Sequence, residues 1–292
     1  MRILITGARG QVGHELIKLA PDEFTVVGLG SDELDVTSAE RVREVVFNHS
    51  PDLIINAAAY TAVDKAESEP GLAYAVNRGG VANLGSVAEH MGIPLFHIST
   101  DYVFSGEGTK PYSEKDATCP TGVYGSSKLA GERALMETSA RYMILRTSWV
   151  FGSHGNNFVK TMLRLGQERK ELLIVDDQIG SPTSASGIAR ALWYLATEYK
   201  KTGSLHWGLY HIGGTPACSW CDFAKEIFQQ AQEIGLLERK PAIKAITTKE
   251  FPTPAKRPLW SVLDSRLLYE KQGVCYVDWR ADLRCMLLEL SR

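Results

Sequence analysis

The chain has 292 residues, 44% hydrophobic and 23% charged, the make-up of an ordinary globular protein with room for one large α/β unit and an attached lobe. A net charge of -2 argues against general affinity for nucleic acid or an anionic membrane surface, and no apolar run is long enough to span a bilayer. The five cysteines, an odd and scattered set, do not form a disulfide framework, so a reducing cytoplasm is the expected compartment.

Residues 2–6 read as a strand and 11–19 as a helix. Residues 24–29 form the next expected strand, 39–48 a helix and 53–56 a third strand. A long helix is expected over 74–90, then a strand over 95–99, a helix over 124–136 and a strand over 142–147. The strands are apolar throughout and alternate with helices. That pattern predicts an α/β fold, a Rossmann-type doubly wound parallel sheet covered on both faces. After Trp149 the rhythm changes. Helices are expected over 157–168, 184–200 and 219–234, and strands over 172–175 and 209–212. The proline-rich stretch 250–258 reads as irregular, and two short helices finish the chain. The division expected is a dinucleotide-binding domain over 1–150, with 181–212 returning to it. Residues 151–180 and 213–292 then form a smaller, interwoven substrate lobe.

The first strand runs into Gly7-Ala8-Arg9-Gly10-Gln11-Val12-Gly13, which opens the first helix. Glycines there permit a tight turn and let the backbone approach a pyrophosphate, while the helix N-terminus offers free N–H groups. The second strand ends Leu29-Gly30-Ser31, without the acid that would bind ribose hydroxyls; Asp32, Glu33 and Asp35 come later. Arg9 can reach a 2′-phosphate or lie solvated on the surface. The balance leans to NADPH, with NADH also accepted.

Tyr124 and Lys128 stand four apart at a helix start, on one face. A tyrosine can donate a proton to a carbonyl being reduced, and a nearby ammonium lowers its pKa toward neutrality. The preceding strand ends in Ser99 and Thr100, hydroxyls placed where ligands bind in open α/β sheets. Cys218 and Cys221 have a C-x-x-C spacing, but no second pair completes a zinc site, and ordinary buried or half-exposed thiols are the favoured reading.

In order along the chain, these motifs resemble the extended short-chain dehydrogenase/reductases, and within them the dTDP-4-dehydrorhamnose reductase family. The segments that carry the match are Gly7 to Gly13, Asn56 to Glu67, Ser99 to Phe104, Tyr124 to Glu132, Arg146 to Val150, Gly155 to Phe158 and Asp177 to Thr183. The resemblance implies hydride transfer to C4 of dTDP-4-dehydro-L-rhamnose, giving dTDP-L-rhamnose. It implies that Gly10, Gln11 and Val12 hold the pyrophosphate, that Asp35 and Val36 border the adenine, and that Ala59, Tyr60 and Thr61 line the cofactor. Tyr124 would donate the proton, Lys128 would also hold the nicotinamide ribose, and Thr100 would stand beside Tyr124. Thr100, Asp101 and Trp149 would contact the sugar. Lys256 and Arg257 are equally a diphosphate contact or a surface basic pair. Some family members bridge a dimer through magnesium held by glutamates; here Glu15 and Glu289 are present, but 184–187 lacks a glutamate, so no metal is assigned and a homodimer stays open. Rival readings are a reductase of another nucleotide-linked 4-keto-6-deoxysugar, a nucleotide-sugar epimerase, and a dinucleotide-binding regulatory subunit.

Overall fold

Strands with apolar residues on both faces need cover on both sides, and the computed structural model, which describes residues 1–275 and 277–291, supplies it. Five strands come first: β1 (Arg2–Thr6), β2 (Thr25–Leu29), β3 (Leu53–Asn56), β4 (Leu95–Thr100) and β5 (Tyr142–Thr147). A sixth, Gly208–His211, joins the far edge, so the order is sixth, β5, β4, β3, β1, β2, all parallel. The two faces are read directly from alternate residues. Ile3, Ile5, Leu53, Ile55, Phe96, Met143 and Leu145 pack with the helix Ala185–Thr202. Leu4, Ile54, Leu95 and Ile144 pack with the helices Ala39–His49 and Val81–Met91. Each of these side chains contributes roughly 1.5–3 kcal/mol by leaving water.

The chain crosses back over β1 to reach β3, so a crevice opens at the carboxyl ends of these strands. The expected helix over 74–90 is interrupted. Pro70–Tyr74 leads into a wide π turn, Ala75–Gly80, before Val81–Met91. The turn carries Asn77, a buried side chain that bonds the backbone of Tyr60 on both sides and the Ser127 hydroxyl.

Beyond β5 a second core gathers Phe151, Val159, Met162, Phe223, Ile227 and Trp279. The strand Glu171–Val175 pairs in parallel with Ala242–Ile246, an element not expected from the sequence. Ala242–Ile246 lies mostly exposed and carries Lys244, so it lacks the apolar signature of the central strands. Two helices close the chain as expected, Arg266–Gln272 and Trp279–Leu290, the second longer than expected at 12 residues. No helix among the described residues is long and apolar enough to cross a membrane.

Candidate active site

At the end of β1 the chain turns through Gly7, whose φ of +68° is left-handed. A Cβ there would lie 2.5 Å from the Ala58 nitrogen, so glycine is what lets the turns after β1 and β3 touch. The Gly10 N–H donates to the Gly7 carbonyl at 2.9 Å, and Gly10 caps the helix Gln11–Lys18 in extended conformation. No side chain caps that helix, so its first-turn amides are left without a side-chain partner. Val12 is buried below, in the main core. The Gln11 side chain accepts from Asn157 Nδ2 at 2.9 Å, tying the glycine turn to the second lobe. These features fit a dinucleotide pyrophosphate.

The other residues expected at the cofactor follow the ends of β2 and β3. Arg9 pairs with Asp32 at 2.7 Å and reaches Glu33 at 3.6 Å, beside the end of β2. Asp35 turns its carboxylate onto Thr37, and that hydroxyl and N–H hold its pKa below the usual range. Val36 is buried, and its carbonyl accepts from Asn83 at 3.0 Å. Ala59, Tyr60 and Thr61 follow β3 directly, with Tyr60 fixed by Asn77 and by a 2.6 Å bond from its hydroxyl to Glu69.

The carboxyl end of β4 meets the helix Val123–Thr138 at the same crevice. Gly125 makes the approach feasible, since a Cβ there would come within 2.1 Å of the Tyr102 carbonyl oxygen. Thr100 accepts from the Tyr102 N–H and donates to Asp101 Oδ1 at 3.0 Å. The Tyr124 ring packs edge-on against Tyr102, with centroids 5.4 Å apart. Burial pushes the Tyr124 hydroxyl pKa up; a hydrogen bond with Thr100 offsets part of the rise, and Asp101 and Tyr102 add to it. Lys128 is not among the groups that set this pKa here. Lys128 Nζ is directed to the Ile98 carbonyl at 2.6 Å, and burial brings its own pKa down to about 8, with the Glu132 carboxylate acting the other way. A phenol kept neutral is nonetheless the form a proton donor requires.

Asp101 is buried, and burial raises its carboxyl pKa to about 7; the Thr100 and Ser261 hydroxyls and nearby N–H groups hold it from rising further. Its Oδ2 has no hydrogen-bond partner among the described residues. Trp149 has a left-handed φ of +48° and stacks on Trp220, with rings 3.5 Å apart and 7° from parallel. Trp220 Nε1 donates to Gln178 at 3.1 Å. Both indoles line a cavity of about 720 Å³ together with Tyr102, Gln178, Asp64 and Arg257. Arg257 is held by Asp64 at 2.6 Å and donates to the Tyr102 hydroxyl at 3.3 Å, whereas the exposed Lys256 pairs with Glu107 at 3.5 Å. Arg257 thus lies at the cavity and Lys256 on the surface.

Trp220, Gln178 and Tyr102 were not singled out from the sequence. Trp220 sits inside the C-x-x-C spacing, a pattern whose chemistry is that of its sulfurs. Cys218 and Cys221 are free, buried thiols, and burial pushes Cys218 up to about 12. Among the described residues no group of three or more His, Cys, Asp or Glu side chains is placed to hold a metal. Glu15 and Glu289 do approach one another, with Lys18 3.8 Å from the first and 2.6 Å from the second.

A family model described as the RmlD substrate binding domain matches residues 1–292. The chain belongs to this family. Its relatives include a dTDP-4-dehydrorhamnose reductase from Aggregatibacter actinomycetemcomitans, 45% identical over 97% of each chain. A solved dTDP-4-dehydrorhamnose reductase from Clostridium acetobutylicum is 39% identical and superposes with a TM-score of 0.92 over the full length of both chains. Another, from Bacillus anthracis and solved in complex with NADP, is also 39% identical, with a TM-score of 0.90 over 99% of each chain. The match runs over the full length of both chains and so includes the second lobe.

Proposed function

We propose that the protein reduces the C4 ketone of dTDP-4-dehydro-L-rhamnose to dTDP-L-rhamnose with NADPH. What supports this reading is Thr100 beside Tyr124, on the helix that also carries Lys128, together with the glycine turn, in a chain similar along its whole length to reductases of that name. The dinucleotide, when bound, supplies the hydride. Gly10, Gln11 and Val12 hold its pyrophosphate, Arg9 reaches the adenosine ribose phosphate, and Asp35, Val36 and the 59–61 turn border the rest.

Tyr124 keeps its proton through neutral pH and gives it up only as negative charge develops on the C4 oxygen. The Thr100 hydroxyl, next to it, shares that oxygen. Lys128 steadies the phenolate left behind and holds the nicotinamide ribose. The unpartnered Asp101 Oδ2 is available to a sugar hydroxyl. Trp149, backed by Trp220, gives the sugar a flat wall, and Arg257 meets the diphosphate, for which a guanidinium fork is suited. The apolar end of the cavity, at Phe158 and Ile246, suits the thymine ring.

The test is substrate-dependent loss of NADPH absorbance with dTDP-4-dehydro-L-rhamnose, with Tyr124→Phe in parallel. The wild type should form dTDP-L-rhamnose, and the variant should lose about 10²–10⁴ in kcat while binding NADPH nearly as well. Full activity in the variant would remove Tyr124 as donor. No turnover by the wild type, despite NADPH binding, would move the substrate to another deoxysugar.

A further inference from the structure

Beneath Lys128 lie three buried polar side chains from three neighbouring strands: Thr6 of β1, Asn56 of β3 and His97 of β4, exposed by 1%, 2% and 0%. None faces the cavity residues described above, yet all three are connected. The Ala58 main-chain N–H donates to Asn56 Oδ1 at 3.0 Å. A main-chain N–H can only donate, so the atom it meets is the amide oxygen, and the orientation of Asn56 is fixed. The Thr6 hydroxyl donates to the same oxygen at 2.7 Å.

The amide nitrogen of Asn56 therefore faces His97, 3.0 Å from Nδ1. An amide nitrogen offers only hydrogens, so Nδ1 must accept. A neutral imidazole carries one hydrogen, which is then on Nε2. Nε2 lies 3.4 Å from Lys128 Nζ, and Nζ donates to the Ile98 carbonyl at 2.6 Å. An ammonium has no lone pair with which to meet an N–H; an uncharged amine has one.

We propose that His97 is a positioning residue for Lys128: held by Asn56 and Thr6, it turns its Nε2–H onto Nζ and favours the uncharged amine at that atom. Burial first, then the Lys128 charge, holds His97 well below the usual imidazole range, with the Asn56 main chain acting the other way, so the ring is neutral. The titratable groups around the amine are His97 from β4 and, on its own helix, Tyr124 and Glu132; Asn56 from β3 does not titrate. The consequence for turnover rests on the reductase reading above. If the charge of Lys128 steadies the Tyr124 phenolate, this relay sets the upper edge of the working pH range.

The experiment uses the full-length protein without substrate, so it is independent of that reading. Side-chain ¹⁵N NMR of labelled histidine locates the His97 hydrogen, and NMR of labelled lysine follows the Lys128 titration. The wild type should carry the hydrogen on Nε2. In Asn56→Asp the carboxylate accepts from Nδ1, the hydrogen should move there, and Nε2 should then accept from the ammonium. The Lys128 midpoint should rise by one pH unit or more. A wild-type hydrogen on Nδ1 overturns the proposal, and that measurement stands even if the variant does not fold. An unmoved hydrogen in Asn56→Asp also overturns it, even with a risen midpoint, because the added charge alone would then be the cause. A moved hydrogen with an unmoved midpoint overturns it equally.

Discussion

Asp101 differs from the other carboxylates of the site in having one oxygen buried without a partner. Its pKa of about 7, raised by burial, gives a definite sign for stability. Above about pH 4 the unfolded chain has lost this proton while the folded chain retains it, so the folded state binds more protons. Stability at this residue therefore falls as pH rises from about 4 to about 7, and levels off above that. Asp101→Asn keeps an oxygen for Thr100 and removes the titration. Its stability relative to wild type should be greater at pH 7.5 than at pH 4.5 by about 3 kcal/mol, measured by urea unfolding. A constant difference at the two pH values would place the Asp101 pKa near its ordinary value. At this scale the sequence was informative about type and spacing: Tyr124 stands beside Thr100, and Lys128 follows it on the same helix. It was silent about direction: a four-residue spacing places Lys128 on the face of Tyr124 but does not reveal that Nζ turns toward Ile98 and His97.

The helix that carries Tyr124 is anchored to the sheet by charge. Glu132 takes a two-point bond from Arg146 of β5, at 2.6 and 2.9 Å, with side-chain exposures of 1% and 4%. The Ser99 hydroxyl of β4 also donates to Glu132, and the Arg146 guanidinium lies 5.1 Å from the Phe104 ring centre. Thr100 and Tyr124 are therefore held by strands and helix that share one buried pair. Arg146→Met leaves Glu132 without its counter-charge and should cost about 3–5 kcal/mol in urea unfolding. Glu132→Leu with Arg146→Met removes both charges and should cost markedly less, despite the extra substitution. A double variant weaker than the single one would show that the pair stabilises beyond its mutual compensation. Elements were legible where the physics is local. β1 and β3–β5 are apolar runs that nothing but a doubly covered sheet can satisfy, and the glycine turn announces the helix after it. Ala242–Ile246 was not legible, because its partner strand rather than its own side chains makes it a strand. The Trp149–Trp220 stack was likewise hidden, being a contact between remote segments.

At the scale of the whole molecule, the expected division is a domain over 1–150 to which 181–212 return, with 151–180 and 213–292 as the lobe, and it can be tested against what completes the sheet. β5 ends near that boundary, but its outer neighbour, Gly208–His211, comes much later in the chain. The helix Ala185–Thr202 covers the face bearing Ile3, Ile5 and Phe96, and the Trp193 indole donates to the Leu16 carbonyl. Val274 and Val277, later still, pack into the same core. A fragment of residues 1–150 would leave β5 as an unpaired edge and expose one apolar face of the sheet, a combination that favours association over folding. Such a fragment should show no cooperative urea transition and should bind a hydrophobic dye. The intact chain should unfold in a single transition, coincident by tryptophan fluorescence and by far-ultraviolet circular dichroism. Two separated transitions, or a fragment that folds cooperatively alone, would mean that the glycine turn and the tyrosine helix need nothing from the second lobe. The predicted outcome makes the return of the chain to the main sheet a requirement for assembling the site, because the segments that wall the cavity and those that finish the sheet alternate along one chain.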